Sequence, residues 1–463
     1  MRVWARFPRV KPPILADTPR VMPPDRLRIV VGLAAALGLA VLLAQPKVKA
    51  LEQRFGVTVL ISAGVPFLAM GAIFSLDSVG ILTPQVLLDL KPAFEFGLGW
   101  VGFVVGLHFD VRKLDALPAS LGPVIVLESV VPMLTTAGLC AMALLGMGVP
   151  WERNAFARDA LVLAACAAPS APISMEFWER RVGRKAARMI DEVTSLDEVT
   201  GLALLGVVAI LFRPENDTTR WVLPSSAWLL LTLGLGGVLG ILTYVLLRGA
   251  HNAAEELTLL LGAVALSAGV AGYLALSVPV VCAIAGALLA NLPIRDLEGL
   301  KKTLLDVERP IYLIFLLVVG ATWRPLEWQG WLLATAFVLA RVAGKRLGAI
   351  WSKRVGPKEL PSAGMLAIAL APQSPSSIVF MVSAATLYHG YGPERVRWAV
   401  NAVLIGGVLT EVVVRILEWR RRRIGVDLTP IPPTRVQPPE PPKPQTDAAP
   451  VLSTTPTTPE GSA

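Results

Sequence analysis

The sequence predicts an all-α polytopic membrane protein of about 13 transmembrane helices, built as two inverted six-helix repeats with crossing broken helices. Three observations predict it. Of 463 residues, 54% are hydrophobic and only 17% charged, and mean hydropathy is +0.61. The apolar residues fall in runs of about 18 or more, the length a bilayer core demands. Two of those runs carry nearly the same interruption, "LAACAAPSAPISMEF" at 163–177 and "LAIALAPQSPSSIVF" at 366–380.

The candidate spans fall at 28–45, 56–76, 94–109, 119–147, 158–176, 189–212, 224–247, 256–274, 277–291, 308–323, 330–352, 361–387 and 396–418. Together they define a transmembrane domain over 28–420. Residues 1–27 form a Pro/Arg-rich N-terminal segment that lacks the apolar core of a cleavable signal peptide. Residues 428–463 form a low-complexity, Pro-rich C-terminal tail, predicted to be disordered.

The net charge of +9 does not point to nucleic acid, because Lys and Arg cluster in short loops between apolar runs. The loops "ERRVGRKAAR" (179–188) and "KRVGPKE" (353–359) and the run Arg420 to Arg423 share one side of the membrane. The positive-inside bias makes that side, and the C-terminus, cytoplasmic. The N-terminus is then outside, against the pull of its own arginines. The expected location is multi-pass in a bacterial inner (cell) membrane.

Cys140, Cys166 and Cys282 sit in apolar runs without redox or metal spacing, and read as small buried hydrophobes. His108, His251 and His389 have no partner at zinc-ligand spacing. No nucleophile–base set is present, so neither an enzyme nor a cofactor is expected.

The interrupted spans are the fifth and the twelfth. If spans one to six and eight to thirteen are repeats joined by the seventh, each interruption falls in the fifth helix of its unit. The linking span makes the two units opposite in orientation. Broken helices at matching positions of two halves mark a transporter's midplane site. Their free backbone groups and half-helix charges are too costly in lipid unless they line a site or a cavity.

Ionisable residues inside spans are functional candidates. The sixth span, "ARMIDEVTSLDEVTGLALLGVVAILF", carries Asp191, Glu192, Asp197 and Glu198. The first pair lies close enough to Arg188 to be a solvated helix start. Asp197 and Glu198 lie deeper, near mid-membrane at about 1.5 Å per residue. Carboxylates are hard oxygen ligands for Na⁺ or Li⁺ and also bind protons. Competition between the two ions on one group is the simplest basis for exchange. Elsewhere, Glu128 lies in the fourth span, Arg341 in the eleventh and Glu411 in the thirteenth. Arg341 is expected to pair with Glu192 or Glu198, whereas Lys345 and Arg346 are expected to snorkel toward the cytoplasm.

These segments resemble the membrane domain of the monovalent cation:proton antiporter superfamily, of sodium/hydrogen exchanger type. The likeness rests on "FEFGLGWVGFVVGLHFDVRKL" (94–114), "LVLAACAAPSAPIS", "ARMIDEVTSLDEVTGLALL", and "PIYLIFLLVVGATW" followed by "LARVAGKRLGA". It spans roughly 28–420. The resemblance implies that Asp197 and Glu198 are the acidic pair that binds the proton or, transiently, the metal ion. It implies supporting roles for Pro169, Ser170 and Ser174 at one break, and for Gln373, Ser374 and Ser376 at the other. In one register Glu198 is the carrier. In the other, Glu192 pairs with Arg341 and Asp197 is the carrier; both registers stay open. Glu198 departs from the family's Asp, and His108 stands where Glu is usual. The tenth span has no mid-helix Lys, which favours electroneutral one-for-one exchange. No nucleotide-binding domain follows the last span, unlike the regulated potassium-efflux branch.

The function expected from this resemblance is secondary antiport of Na⁺ (or Li⁺ or K⁺) against H⁺ by alternating access. Spans 4–6 and 11–13 would move against the rest, within a homodimer in the lipid bilayer. The alternatives are a Na⁺-coupled carrier of an organic solute on a similar fold, and a non-transporting sensor that keeps the fold. A basic residue with a larger pocket at the crossing would mark the carrier. Ion-dependent partner binding without flux would mark the sensor.

Overall fold

The structure, a computed structural model, describes residues 65–423 apart from 77–78, 151–153, 172–174, 215–222, 294–296, 324–326 and 389–392. The N-terminal segment, the first span and the Pro-rich tail therefore lie outside the described residues. What is described is helical, with no strand.

The helices follow the apolar runs. In order they are α1 (Val65–Phe74), α2 (Pro84–Asp89), α3 (Lys91–Leu107), α4 (Val111–Asp115) and α5 (Leu121–Gly146). The fifth span is broken into α6 (Asn154–Ala167) and α7 (Met175–Val182), and α8 (Arg184–Leu211) follows. Then come α9 (Ser225–Arg248), α10 (Ala253–Tyr273), α11 (Val278–Asn291), α12 (Leu297–Thr322) and α13 (Trp328–Val355). The twelfth span is broken into α14 (Ala363–Ala369) and α15 (Ser376–Leu387), and α16 (Pro393–Arg423) closes the series.

Local chemistry sets the ends. Asn252 caps α10 by accepting from the Glu255 N–H at 2.8 Å, and Glu255 Oε2 accepts in turn from the His251 N–H at 2.9 Å. Gly183, at φ +83°, makes the sharp turn between α7 and α8 that a residue with a Cβ rarely adopts. Among the described residues five helices are long and apolar enough to cross a membrane: Lys91–Asp115 (α3 with α4), α5, α8, α9 and most of α10. Helix α9 is the most peripheral, with 28% of its apolar window buried. Its outward Leu230, Val238 and Val245 are exposed as lipid-facing residues are.

The helices form two packed groups. In one, α3 lies against α10 and α11, α9 against α11, and α1 against α12. The α3–α11 contact is close because Gly102, Gly106 and Gly286 let backbones touch; a Cβ on any of them would strike a neighbouring carbonyl. In the other group α13 packs on α5 and α16, and α6 packs on α5, α8 and α15. These are the fourth to sixth and eleventh to thirteenth spans, the matching helices of the two inverted repeats. The three cysteines are buried and unbridged.

Candidate functional site

The two breaks meet. Pro169 and Pro372 have no N–H to continue their helices, and the chain runs extended beyond each. Ser170 and Gln373 pair there as an isolated antiparallel bridge. The Ala171 N–H donates to Pro372 O at 3.0 Å, and the Ser374 N–H donates to Pro169 O at 3.3 Å. Backbone groups freed by one broken helix are satisfied by the other.

Helix α8 brings two carboxylates to this crossing. Successive residues on a helix point about 100° apart, so Asp197 and Glu198 address different partners. Asp197 is fully buried. Its Oδ1 accepts from the Ser170 N–H at 3.1 Å, and its Oδ2 accepts from Lys345 Nζ at 3.0 Å. Glu198 is half-buried and turned toward the second break. Its Oε1 accepts from Ser376 Oγ at 3.0 Å and also from Ser374 Oγ. One turn on, Gly201 lets the broken helix come close: a Cβ there would lie 2.9 Å from Ala165 O and 3.2 Å from Pro169 Cδ.

Helix α13 supplies the cations. Arg341 and Lys345 are four residues apart, hence on one face, and both are 0% exposed. Arg341 donates to Ala167 O, to Pro169 O at 2.8 Å and to Pro372 O at 3.0 Å. It thus sits at the negative C-terminal end of α6 and spans both breaks with one planar, multi-donor group. This corrects the expected pairing with Glu192 or Glu198. The breaks expose several carbonyls within reach of one guanidinium, whereas half-buried Glu192 lies more than a helical turn before Asp197.

Lys345 does not snorkel. Besides Asp197, its Nζ donates to Glu128 O at 2.9 Å. That carbonyl is free because Pro132, four residues on, has no N–H to bond it. Gly344 and Gly348 let α5 press against α13 at this level, so the lysine has no route to the headgroups. Arg346, in contrast, is exposed.

Of the other expected residues, Pro169, Ser170, Gln373, Ser374 and Ser376 all come to the crossing. Gln373 Nε2 donates to Val403 O at 3.4 Å. Ser174 lies outside the described residues. The residue missed by sequence reasoning is Lys345; its i, i+4 spacing from Arg341 was the available signal.

Comparison with known proteins agrees with this architecture. The family described as "Sodium/hydrogen exchanger, transmembrane" matches residues 36–417. No curated protein matches the chain. The fold resembles the structure of the sodium proton antiporter MjNhaP1 from Methanocaldococcus jannaschii at pH 8, with TM-score 0.58 and 17% identity over 86% of this chain and 98% of that one. An electron-microscopy structure of MjNhaP1 gives TM-score 0.55 and 16% identity over 86% and 96% of the two chains. With a match over most of its length, this chain belongs to the sodium/hydrogen exchanger family of integral membrane transporters, and is not an enzyme.

Proposed function

We propose that this protein exchanges Na⁺ for H⁺ by alternating access, with Asp197 and Glu198 as the ion-binding carboxylates. The observation that carries the reading is the position of the adjacent acids, each hydrogen-bonded to a different one of two interlocked breaks. An incoming cation takes the place of the Lys345 ammonium at Asp197 and uses Glu198 as its second carboxylate. A hard monovalent ion suits this oxygen-rich, cramped setting. Protonating the acids expels the cation, and the same side chains then return with protons. The two packed groups of helices support a rocking movement in which α5–α8 and α13–α16 carry the site past the remainder. A homodimer formed through the peripheral helices, with the C-terminus cytoplasmic in a bacterial inner membrane, completes the reading.

Against the organic-solute alternative, the buried cations Arg341 and Lys345 are engaged with carbonyls and with Asp197.

The test is collapse of a pH gradient in proteoliposomes on adding Na⁺, Li⁺ or K⁺ in turn, with Asp197→Asn and Glu198→Gln proteins alongside. Cation-dependent collapse that either substitution abolishes is the expected result. No collapse with any cation by folded wild-type protein between about pH 6 and 9, the range in which carboxylate–cation competition operates, would sink antiport.

A further inference from the structure

Glu128 has no part in the mechanism so far. It lies on α5, is 0% exposed, and neither carboxylate oxygen has a hydrogen-bond partner. Its own carbonyl holds Lys345. A Cβ on Gly348 would stand 3.1 Å from its Oε2, so the acid lies directly against α13. The ionisable groups facing it are Lys345 of α13 and Asp197 of α8. Helix α6, also packed on α5, brings Arg158 and Asp159, which pair with each other at the far end of α5. Ser352, one turn past Gly348, is the nearest neutral donor to Glu128; its hydroxyl is fully buried and stands just outside ordinary hydrogen-bond geometry. Lys345, Gly348 and Ser352 lie on one face of α13, leading from the crossing toward the basic end at Lys353 and Arg354.

A fully buried carboxylate with no well-formed hydrogen bond is not stable as an anion. A lysine that loses its carboxylate to an incoming cation needs another. We infer that Glu128 is a second proton-binding group of the transport unit, neutral while Lys345 rests on Asp197 and ionised as the partner of Lys345 once a cation occupies Asp197.

This deepens, and rests on, the antiport reading. The Glu128 O–H bond breaks, the electron pair stays on the carboxylate, and the proton leaves to water on whichever side alternating access opens the site. Lys345 keeps all three of its hydrogens and turns from Asp197 to Glu128. One positive charge enters and one leaves, so this step is neutral despite the buried lysine.

The test counts protons. Calorimetry of Na⁺ binding to the full-length protein, in two buffers of different ionisation enthalpy, gives protons released per cation. Glu128→Gln should release about one proton fewer than wild type and show a correspondingly shallower pH dependence of Na⁺ affinity. Glu128→Asp should restore the wild-type count. An unchanged count in Glu128→Gln overturns the inference while leaving antiport intact. Wild-type protein that binds no cation overturns antiport and this step with it. Should Glu128→Gln not fold, infrared difference spectra decide. Na⁺ should remove a carboxylic-acid band from wild type, and that band should shift in Glu128→Asp. A band that is absent, or that does not shift, overturns the assignment.

Discussion

Lys345 Nζ lies 3.0 Å from Asp197 Oδ2, with both side chains at most 1% exposed. This contact joins the helix that carries the buried cations to the helix that carries the acids, beside the point where two broken helices cross. Such a pair adds little net stability over apolar packing, but removing one partner strands a buried charge at a cost of about 3–5 kcal/mol. Lys345→Met should therefore lower the unfolding midpoint in detergent markedly, and adding Asp197→Asn should recover most of the loss. Two single losses that simply add would show that the residues do not act on each other.

Arg341 answers three carbonyls at once. Lysine in its place cannot span them, and each buried carbonyl left unbonded costs about 1–3 kcal/mol. Arg341→Lys should fold less stably than wild type and expose the breaks to faster amide exchange, measured at Ser170, Ala171 and Ser374. Wild-type stability and protection in this variant would contradict the bridging role.

Ser374 and Ser376 both donate to Glu198. Together they hold Glu198 Oε1 against the second break, and one lost bond to a charged group costs about 1.5–3 kcal/mol. Ser374→Ala and Ser376→Ala should each weaken Na⁺ binding by about tenfold or more in calorimetry, since a carboxylate that loses its fixed position meets the cation less well. Wild-type affinity in both variants would show that the serines do not position the ion-binding acid.

Gly201 lacks the Cβ that would lie 2.9 Å from Ala165 O and 3.1 Å from Phe380 Cε2. Gly201→Ala should push α8 away from the first break and cut transport at least tenfold in proteoliposomes, roughly the effect of 1.4 kcal/mol. Gly122→Ala is the control, because nothing lies within 4 Å of a Cβ there. It should leave transport unchanged and stabilise α5 slightly, by up to about 1 kcal/mol.

Much of this was legible in the chain. Hydropathy located α9, α11 and α13 to within a few residues, because apolar length is the dominant signal in a bilayer. The paired Pro-containing interruptions announced the breaks, and the acids of α8 stood out against an uncharged run. Helix α12 starts earlier than expected, at Leu297, since the charged stretch before residue 308 hides helix from a hydropathy reading. What could not be read was who pairs with whom. Arg341 was assigned a carboxylate because charges in membranes usually find one; its carbonyl acceptors exist only once two distant breaks have come together. Lys345 looked like a snorkelling residue because its depth depends on Gly344 and Gly348 drawing α5 against α13, a contact no linear pattern discloses.

The bridge between Ser170 and Gln373 has a consequence for biogenesis. The first break enters the membrane while α9 to α13 are still unmade, so Pro169 O and the Ala171 N–H wait, unmatched, for a partner that the ribosome has yet to deliver. Neither half can finish its own unwound segment. The protein therefore matures only when its second half arrives, and halves synthesised separately should be cleared by quality control unless they are made together in one cell.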